Sequence, residues 1–364
     1  MKKRIFSRCG ISIFFVALFA LILTPLGSAA ETKTIELKYA YPHPNVSLVG
    51  RSCEYFADLL EQRSNGKLKI ARFPAGMLVQ AERVREAVET GIIDIGHMSP
   101  HYVATRFPSN DACMLPMKIK SAWASSHAVN DWFHHFKPKE FDGVQTFFAT
   151  NCPPFALQFR DKPIYKPGDL KGVKLRAAGS QASAFAKALG AVPVHLPMPE
   201  TFEALSRKTV DGLLAPAETL KGWKHAEIAK YVTLLPISYA APNHTFMNQD
   251  KWNSLPPDLK DVFNDVVPDA LEATACAWEY GDVLGIEYFN SLGGERKFIE
   301  IPPNESSAWE ELVVPIRKDF IEAHKDLPVA EYLKYLEERN EYWNERRPDN
   351  AALKTFVEKE LMKQ

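Results

Sequence analysis

The chain has 364 residues, and its 44 Lys and Arg against 45 Asp and Glu give a formal net charge of −1 at pH 7. This balance provides no basic surface of the kind that nucleic-acid binding requires, so we expect no nucleic-acid partner. The length is typical of two domains, and a hydrophobic content of 46% is enough for sizeable cores.

The first 30 residues have the pattern of a secretory signal peptide. A basic start that includes Arg4 and Arg8 precedes an almost wholly apolar run at 11–23, and small residues follow at 27–30. The run is too short to span a bilayer comfortably, so a retained membrane anchor is the less favoured alternative. We therefore expect removal of the signal peptide, residues 1–30, and export to the periplasm.

Strand and helix patterns alternate in the next part of the chain. Apolar side chains recur at every second position in the first segment and at helical spacing in the second, and later segments repeat this alternation. Such alternation predicts an α/β sheet. The predicted segments are a strand at 35–41, a helix at 49–60, a strand at 68–73, a helix at 84–88 and a strand at 92–96.

The stretch 156–190 predicts a strand, a loop, a second strand and a helix. Proline and glycine punctuate the loop between the strands at 156–160 and 172–176. Ser180 is a suitable N-cap for the helix, and Gly190 is a suitable residue to end it.

Arg176 is thereby predicted at the carboxyl end of a strand, beside the N-terminus of the next helix. Free N–H groups and the helix dipole favour an anion at such a place, and a guanidinium adds a bidentate grip suited to a carboxylate. From spacing alone, an ordinary surface ion pair is an equal alternative for this arginine.

Helical patterns dominate after residue 255. One long helix is predicted from Pro256 to Leu292, long enough to tie two lobes together, and Pro268 is expected to kink it or divide it. Further helices are predicted at 310–324, 331–344 and 352–362.

Signatures of catalysis and of metal binding are poor. Cys152 is a candidate nucleophile, but no histidine partner is visible in the pattern around it. We expect no cofactor and no metal, since the cysteine spacing fits no zinc motif and no glycine-rich phosphate loop is present. Four cysteines follow the signal peptide, and their pairing, or their existence as buried thiols, is left open by the sequence: Cys53, Cys113, Cys152 and Cys276.

A site for an anion is the remaining candidate. Arg160 and Arg176 are expected to end neighbouring strands around one loop. Aromatic residues occupy nearby loop positions, and although core packing is the commoner role for each of them, together they predict a pocket for a small, partly apolar acid. These aromatic residues are Tyr41, Tyr102, Phe155, Phe202 and Trp223.

The segment KPIYKPGDLKGVKLRAAGS at 162–180 resembles the PI-x-x-P-x-DLKG-x-K-x-R core of TRAP-type, DctP-like periplasmic substrate-binding proteins. Three other segments are similar to motifs of that family and occur in its order: ETGIIDIGHMSPHYVATRFP at 89–108, TVDGLLAP at 209–216 and SLPPDLKDVF at 254–263. The resemblance covers roughly residues 33 to 294 of the chain.

This resemblance implies an α/β, two-lobe periplasmic binding protein fold with a central ligand cleft and a long connecting helix. It implies a protein without catalytic activity that captures a small organic acid and delivers it to the membrane subunits of a TRAP permease. A monomer is favoured over a dimer. The implied divisions are 31–155 plus about 242–285 for lobe I, 156–241 plus about 286–330 for lobe II, and 331–364 for a C-terminal helical extension.

The resemblance also implies ligand-binding residues. Arg176 matches the main ligand arginine of the family, and Arg160 matches a second, upstream arginine. Leu214 and Ala215 replace an acidic residue and an asparagine that several members binding polar acids carry, which favours an aromatic, branched or 2-oxo acid. The remaining candidates are Tyr41, His43, Met98, Ser99, Tyr102, Phe155, Ala215, Trp223 and Asn243.

Two rival functions remain open at this point. One is an exported sensor or interaction protein that binds the same kind of acid. The less favoured one is an exported enzyme that uses the two arginines as an oxyanion clamp and Cys152 as nucleophile.

Overall fold

A computed structural model describes residues 34–103 and 105–363, so the predicted signal peptide lies outside the described residues. The strands form two separate sheets. They are β1 Ile35–Ala40, β2 Leu68–Phe73, β3 Ile95–Met98, β4 Val144–Asn151, β5 Ala156–Phe159, β6 Lys174–Arg176, β7 Val192–Val194, β8 Gly212–Ala215, β9 Tyr231–Leu234, β10 Pro242–Asn248 and β11 Lys297–Glu300.

Helices flank both sheets and follow the last strand. They are α1 Leu48–Arg63, α2 Val84–Glu89, α3 Pro108–Ala112, α4 Ala122–Phe136, α5 Gly179–Ala188, α6 Thr201–Ser206, α7 Thr219–Gly222, α8 Gln249–Ser254, α9 Pro257–Ser291, α10 Ser307–Val313, α11 Pro315–Ala323, α12 Val329–Asn344 and α13 Asn350–Phe356, which is followed by a π-helical turn at Val357–Leu361.

The first sheet has the strand order β2-β1-β3-β10-β4. Strand β1 pairs in parallel with β2 and β3, and β10 runs antiparallel to β3 and β4. One edge of this sheet therefore collects the carboxyl ends of β1, β3 and β4 and the amino end of β10. The loops that leave this edge contain Ser99 and Cys152, and Asn243 lies at the start of β10.

The second sheet has the strand order β11-β9-β5-β8-β6-β7. Strands β6 and β8 are parallel neighbours, whereas β5 runs antiparallel to β8. The carboxyl ends of β6 and β8 and the amino end of β5 therefore share one edge, which carries Arg176 and Phe155.

Each sheet with its flanking helices forms one half of the molecule. Helix α9 contacts both halves, namely α1, α4 and β4 beside the first sheet and α7 beside the second. It is one continuous helix of 35 residues with Pro268 inside it, so the prediction that this proline divides the helix is wrong. The proline removes one backbone hydrogen bond, but apolar residues on both sides of it are buried, among them Phe263 and Ala275, and they hold the helix in place.

Three other sequence-based boundaries are corrected by the structure. Strand β3 starts at Ile95 rather than Ile92, because Ile92 lies in an exposed turn. Helix α5 starts at Gly179 with Ala178 as its N-cap, and the Ser180 hydroxyl donates to Asp111 instead of capping the helix. The helix predicted at 310–324 is two helices, since Pro315 begins a new one.

The C-terminal helices pack on the first half of the molecule. Helix α12 contacts α4, where the Arg339 Nε and the Trp343 Nε1 each donate to the Asp131 carboxylate at 2.7 Å. The His127 and Trp343 rings stack with their centroids 4.4 Å apart. These contacts make the C-terminal segment an integral layer of this half.

Candidate ligand cavity

The edges of the two sheets described above face a common cavity. Its apolar wall consists of Tyr102, Phe155, Met198, Trp223, Ala241 and Trp278. Its polar and ionisable wall residues include His43, Ser99, His101, Arg176, Glu218 and Asn243.

Arg176 is the cation of this cavity, and its side chain is 1% exposed. Its Nε donates to the Leu196 carbonyl at 2.9 Å and its Nη1 donates to the Leu214 carbonyl at 3.0 Å. Among the described residues, the Nη2 has no hydrogen-bond partner. The two carbonyls fix the guanidinium plane, and the Nη2 together with the second N–H of Nη1 remains for the two oxygens of a carboxylate.

No carboxylate of the described part of the chain forms an ion pair with Arg176. The neighbouring histidines add no charge, because burial and the Arg176 charge lower the pKa of His101 and of His225 to about 3. A buried cation without a counter-ion is costly, so the cavity favours an anionic ligand.

The edge of the first sheet supplies a neutral hydrogen-bonding pair. The Ser99 hydroxyl donates to the Asn243 side-chain carbonyl, and the Asn243 amide donates to the Ala241 carbonyl at 3.0 Å. His43 lies between the two tryptophans, 5.4 Å from the Trp278 ring and 6.1 Å from the Trp223 ring by centroid distance. Burial and His97 lower the pKa of His43 well below its usual value, so this ring is neutral.

Cys152 lines the cavity but has the properties of a buried structural thiol. Its Sγ accepts from the Ala241 N–H at 3.1 Å, and burial raises its pKa to about 12. The reactive form of cysteine is the thiolate, which is nearly absent at neutral pH with such a pKa. All four cysteines of the described residues are free and buried, so they form no disulfide.

We expect the native protein to leave these thiols almost unmodified by a thiol reagent at pH 7.5. Raising a thiol pKa from about 8.5 to about 12 lowers the thiolate fraction by roughly a thousandfold. Absorbance assays with Ellman's reagent, with and without denaturant, measure the rates, and a reductant should add no thiols. A single thiol that reacts rapidly in the folded protein would contradict the buried, protonated state of Cys152.

Seven of the eleven sequence-predicted site residues line this one cavity. They come from both sheet edges and from the loops that follow β1, β3 and β8. They are His43, Ser99, Tyr102, Phe155, Arg176, Trp223 and Asn243.

Three other candidates lie next to the cavity without lining it. The Tyr41 hydroxyl turns away and hydrogen-bonds to Glu54 and Asn45, and its ring packs on Tyr39. The Met98 side chain is buried in the core, because successive residues of a strand point to opposite faces. Ala215 is likewise buried in the core, and the next residue along the chain, Pro216, reaches the cavity instead.

The placement predicted for Arg160 is wrong. Strand β5 runs antiparallel to β8, and β8 separates it from β6, so the end of β5 lies at the opposite edge from Arg176. The four residue-to-residue steps from Ala156 to Arg160 span about 13 Å along an extended chain. Arg160 donates to the Ser206 carbonyl at 2.7 Å and pairs with Asp161 at the surface.

Sequence reasoning missed several cavity residues, among them His101, Met198, Glu218 and Trp278. Trp278 falls within the predicted long helix, where core packing is the commoner role of an aromatic side chain. Closeness to strand ends is the only sequence signal for His101 and Glu218. Nothing in the sequence distinguishes Met198.

Residues 34–103 and 105–363 contain no group of three or more His, Cys, Asp and Glu placed to hold a metal ion. The same residues contain no helix with the length and apolarity needed to cross a membrane.

One family model covers most of the chain. The model described as bacterial extracellular solute-binding protein, family 7 (DctP), matches residues 39–323. The chain is 23% identical over 308 residues to the C4-dicarboxylate-binding periplasmic protein DctP of Rhodobacter capsulatus, covering 82% of this chain and 90% of that protein. It is 23% identical over 312 residues to the sialic acid-binding periplasmic protein SiaP of Vibrio cholerae, covering 82% and 92% respectively.

Solved structures share the fold. A TRAP solute-binding protein from Rhodoferax ferrireducens T118, in complex with copurified benzoate, matches with a TM-score of 0.81 and 23% identity over 86% of this chain and 99% of that chain. A TRAP periplasmic solute-binding protein from Desulfovibrio salexigens, described as an open complex, matches with a TM-score of 0.74 and 28% identity over 87% and 99%. The predicted α/β, two-lobe fold is thereby confirmed.

Proposed function

This chain belongs to bacterial extracellular solute-binding protein family 7, and we propose that its ligand is a small monocarboxylic acid with an apolar body. The observation that carries the proposal is Arg176, which is buried and lacks a counter-ion among the described residues, with one end of its fork unpaired. A monocarboxylate supplies one negative charge and two acceptor oxygens, which is what this guanidinium lacks.

Part of the cavity wall suits carbon rather than hydroxyl groups, since Phe155, Trp223 and Trp278 provide aromatic surface there. Leu214 and Ala215, at the positions where several polar-acid binders carry polar residues, are buried in the core beside the cavity. Proteins of similar fold have been crystallised with benzoate, with 3-hydroxybenzoate and with mandelate, which supports an aromatic acid as one member of the ligand class.

The proposal includes the biological setting that the family implies. The protein acts in the periplasm as a monomer and delivers its ligand to the membrane subunits of a TRAP permease. The chemistry of the site supports binding without catalysis. Cys152 is held as a thiol, and Arg160 is too remote to form an oxyanion clamp with Arg176.

A thermal-shift screen of organic acids tests the ligand class. We expect benzoate, phenylacetate and 4-methyl-2-oxopentanoate to raise the melting temperature more than gluconate, galactonate or sialate. Each sugar hydroxyl that is buried against the apolar wall gives up its hydrogen bonds to water and gains none from the protein. This loss weakens the binding free energy by about 1–3 kcal/mol per hydroxyl group. A ligand at 100 times its Kd stabilises by about 2.7 kcal/mol, which such a screen resolves easily.

Two controls complete the screen. Acetamide and benzamide, which lack the negative charge, should give no shift. Mass spectrometry of small molecules released from the natively purified protein should recover an acid of the stabilising class, unchanged after long incubation. A screen in which only sugar acids or sialate stabilise the protein would contradict the proposal.

A further inference from the structure

Glu218 is a second ionisable wall residue of the ligand cavity, and no family motif pointed to it. It follows the end of β8 by three residues and is 2% exposed. Neither of its carboxyl oxygens has a hydrogen-bond partner within 34–103 and 105–363, although both oxygens are buried. Leaving a buried polar group unpaired costs about 1–3 kcal/mol, so this arrangement requires an explanation.

The space around Glu218 is provided by two glycines. A β-carbon at Gly222 would lie 2.1 Å from the Glu218 Oε1, and one at Gly281 would lie 2.7 Å from its Cγ. Side chains at either position would therefore displace the carboxyl group. Glu218 also borders a second cavity, whose wall includes Arg51 and Lys221, but it forms no ion pair with either of them.

Burial favours the protonated, neutral form of the Glu218 carboxyl. Burial raises its pKa to about 8, and Asp282 of α9, which accepts the Glu218 N–H at 2.6 Å, is another buried carboxyl with a raised pKa. A protonated carboxyl has one O–H donor and one carbonyl acceptor. It therefore offers a hydrogen-bonding pair to an uncharged group rather than a charge to a cation.

Glu218 and Arg176 occupy different parts of the cavity. The Arg176 guanidinium donates to the Leu196 and Leu214 carbonyls, whereas the Glu218 side chain lies against Gly222 and Gly281. Arg176 therefore favours the carboxylate of a ligand in one part of the cavity. Glu218 favours a neutral hydrogen-bonding group of the same ligand in another part, and aromatic side chains contribute to the wall of the cavity.

We infer that Glu218 determines specificity by hydrogen-bonding a hydroxyl or carbonyl oxygen of the ligand, so that the preferred ligand is a small hydroxy or oxo acid. This inference rests on the proposed function, because it requires the ligand's carboxylate to be held by Arg176. It narrows the ligand class to an acid with an apolar body that carries a single further oxygen.

Calorimetry with matched acids tests this inference. The probes are benzoate with its 2-, 3- and 4-hydroxy derivatives, and phenylacetate with its hydroxylated derivatives. The measured quantity is the ratio of Kd for the unsubstituted acid to Kd for its best hydroxylated derivative. In the parent protein we expect a ratio of roughly 5 to 150, which corresponds to about 1–3 kcal/mol for one satisfied buried group.

Two substitutions separate hydrogen bonding from packing. Glu218→Gln keeps one donor and one acceptor at the same length and should retain most of the ratio. Glu218→Met keeps the length and flexibility without hydrogen bonding and should reduce the ratio to about one. Glu227→Met, at an exposed glutamate nearby, is the matched control and should show the ratio of the parent.

The outcomes distinguish the two proposals. If no acid binds the parent protein, the proposed function fails and this inference fails with it. If acids bind but Glu218→Met keeps the parent ratio, or if an aminomethylbenzoate binds more tightly than every hydroxylated acid, this inference alone is overturned.

Infrared difference spectroscopy of the parent protein covers the case in which Glu218→Met does not fold. The carboxylic-acid C=O band of Glu218 is the band that disappears in Glu218→Gln. We expect this band to shift when the best hydroxylated acid binds to the parent protein. It should not shift when the corresponding acid without the hydroxyl group binds. The same band position with both acids would overturn the inference.

Discussion

Replacing Arg176 by alanine is expected to weaken binding of the best acid by roughly 30-fold to several thousandfold. Truncating one partner of a buried, hydrogen-bonded charge pair costs about 2–5 kcal/mol, and each 1.4 kcal/mol is a factor of ten. The loss should be large here because no other Lys or Arg of the described residues lines this cavity. Calorimetry against the parent protein measures the effect.

Two variants control for charge and for folding. Arg176→Lys keeps the charge but loses the fork and should recover only part of the affinity. Arg160→Ala removes an arginine that lies at the far edge of the sheet and should change Kd by no more than a few-fold. Arg176→Ala also leaves the carbonyls of Leu196 and Leu214 without their donor, so we expect a lower melting temperature with an unchanged circular dichroism spectrum.

Replacing Gly179 by alanine is expected to weaken acid binding by at least roughly tenfold. Gly179 begins α5 with φ at +86°, and a β-carbon there would lie 2.6 Å from the His101 carbonyl oxygen. Beside it, the Ser180 hydroxyl donates to Asp111 at 2.6 Å. The two halves of the molecule therefore touch at the start of α5, three residues from Arg176, and a methyl group would hold them apart. The left-handed conformation alone costs about 1–2 kcal/mol for an alanine.

Gly190 at the other end of the same helix is the matched control. Its φ is +85°, but the nearest atom to an added β-carbon lies 3.8 Å away. Gly190→Ala should therefore lower the melting temperature through backbone strain and leave Kd nearly unchanged. Small-angle scattering should show that the acid reduces the radius of gyration of the parent and of Gly190→Ala but not of Gly179→Ala. Equal affinities of the two variants would refute the prediction that the two halves must meet at Gly179 to hold the acid.

The sequence supported the predictions that depend on local pattern. Periodicity located α1 and β2, and proline and glycine punctuation placed Arg176 at the end of a strand, where the structure has it. The local sequence pattern gave a wrong placement for Arg160. The direction of β5 within its sheet depends on how the chain crosses between the two halves, and no local signal in the sequence indicates that direction.

Burial was the other property that sequence could not supply. Glu218 has no pattern that distinguishes it from a surface glutamate, and only the packing of α7 against α9 removes it from water. Tertiary packing also explains the wrong prediction at Pro268. It keeps α9 continuous where the local helix propensity predicts a break. Both cases concern energies that arise only when distant segments meet.

The most direct test of the central claim is a crystal structure with the acid that stabilises the protein most. We predict the carboxylate of that acid on the Nη1–Nη2 end of Arg176, and its apolar body against the aromatic wall that includes Trp223 and Trp278. A carboxylate bound elsewhere, on Arg160 or outside this cavity, would contradict the account.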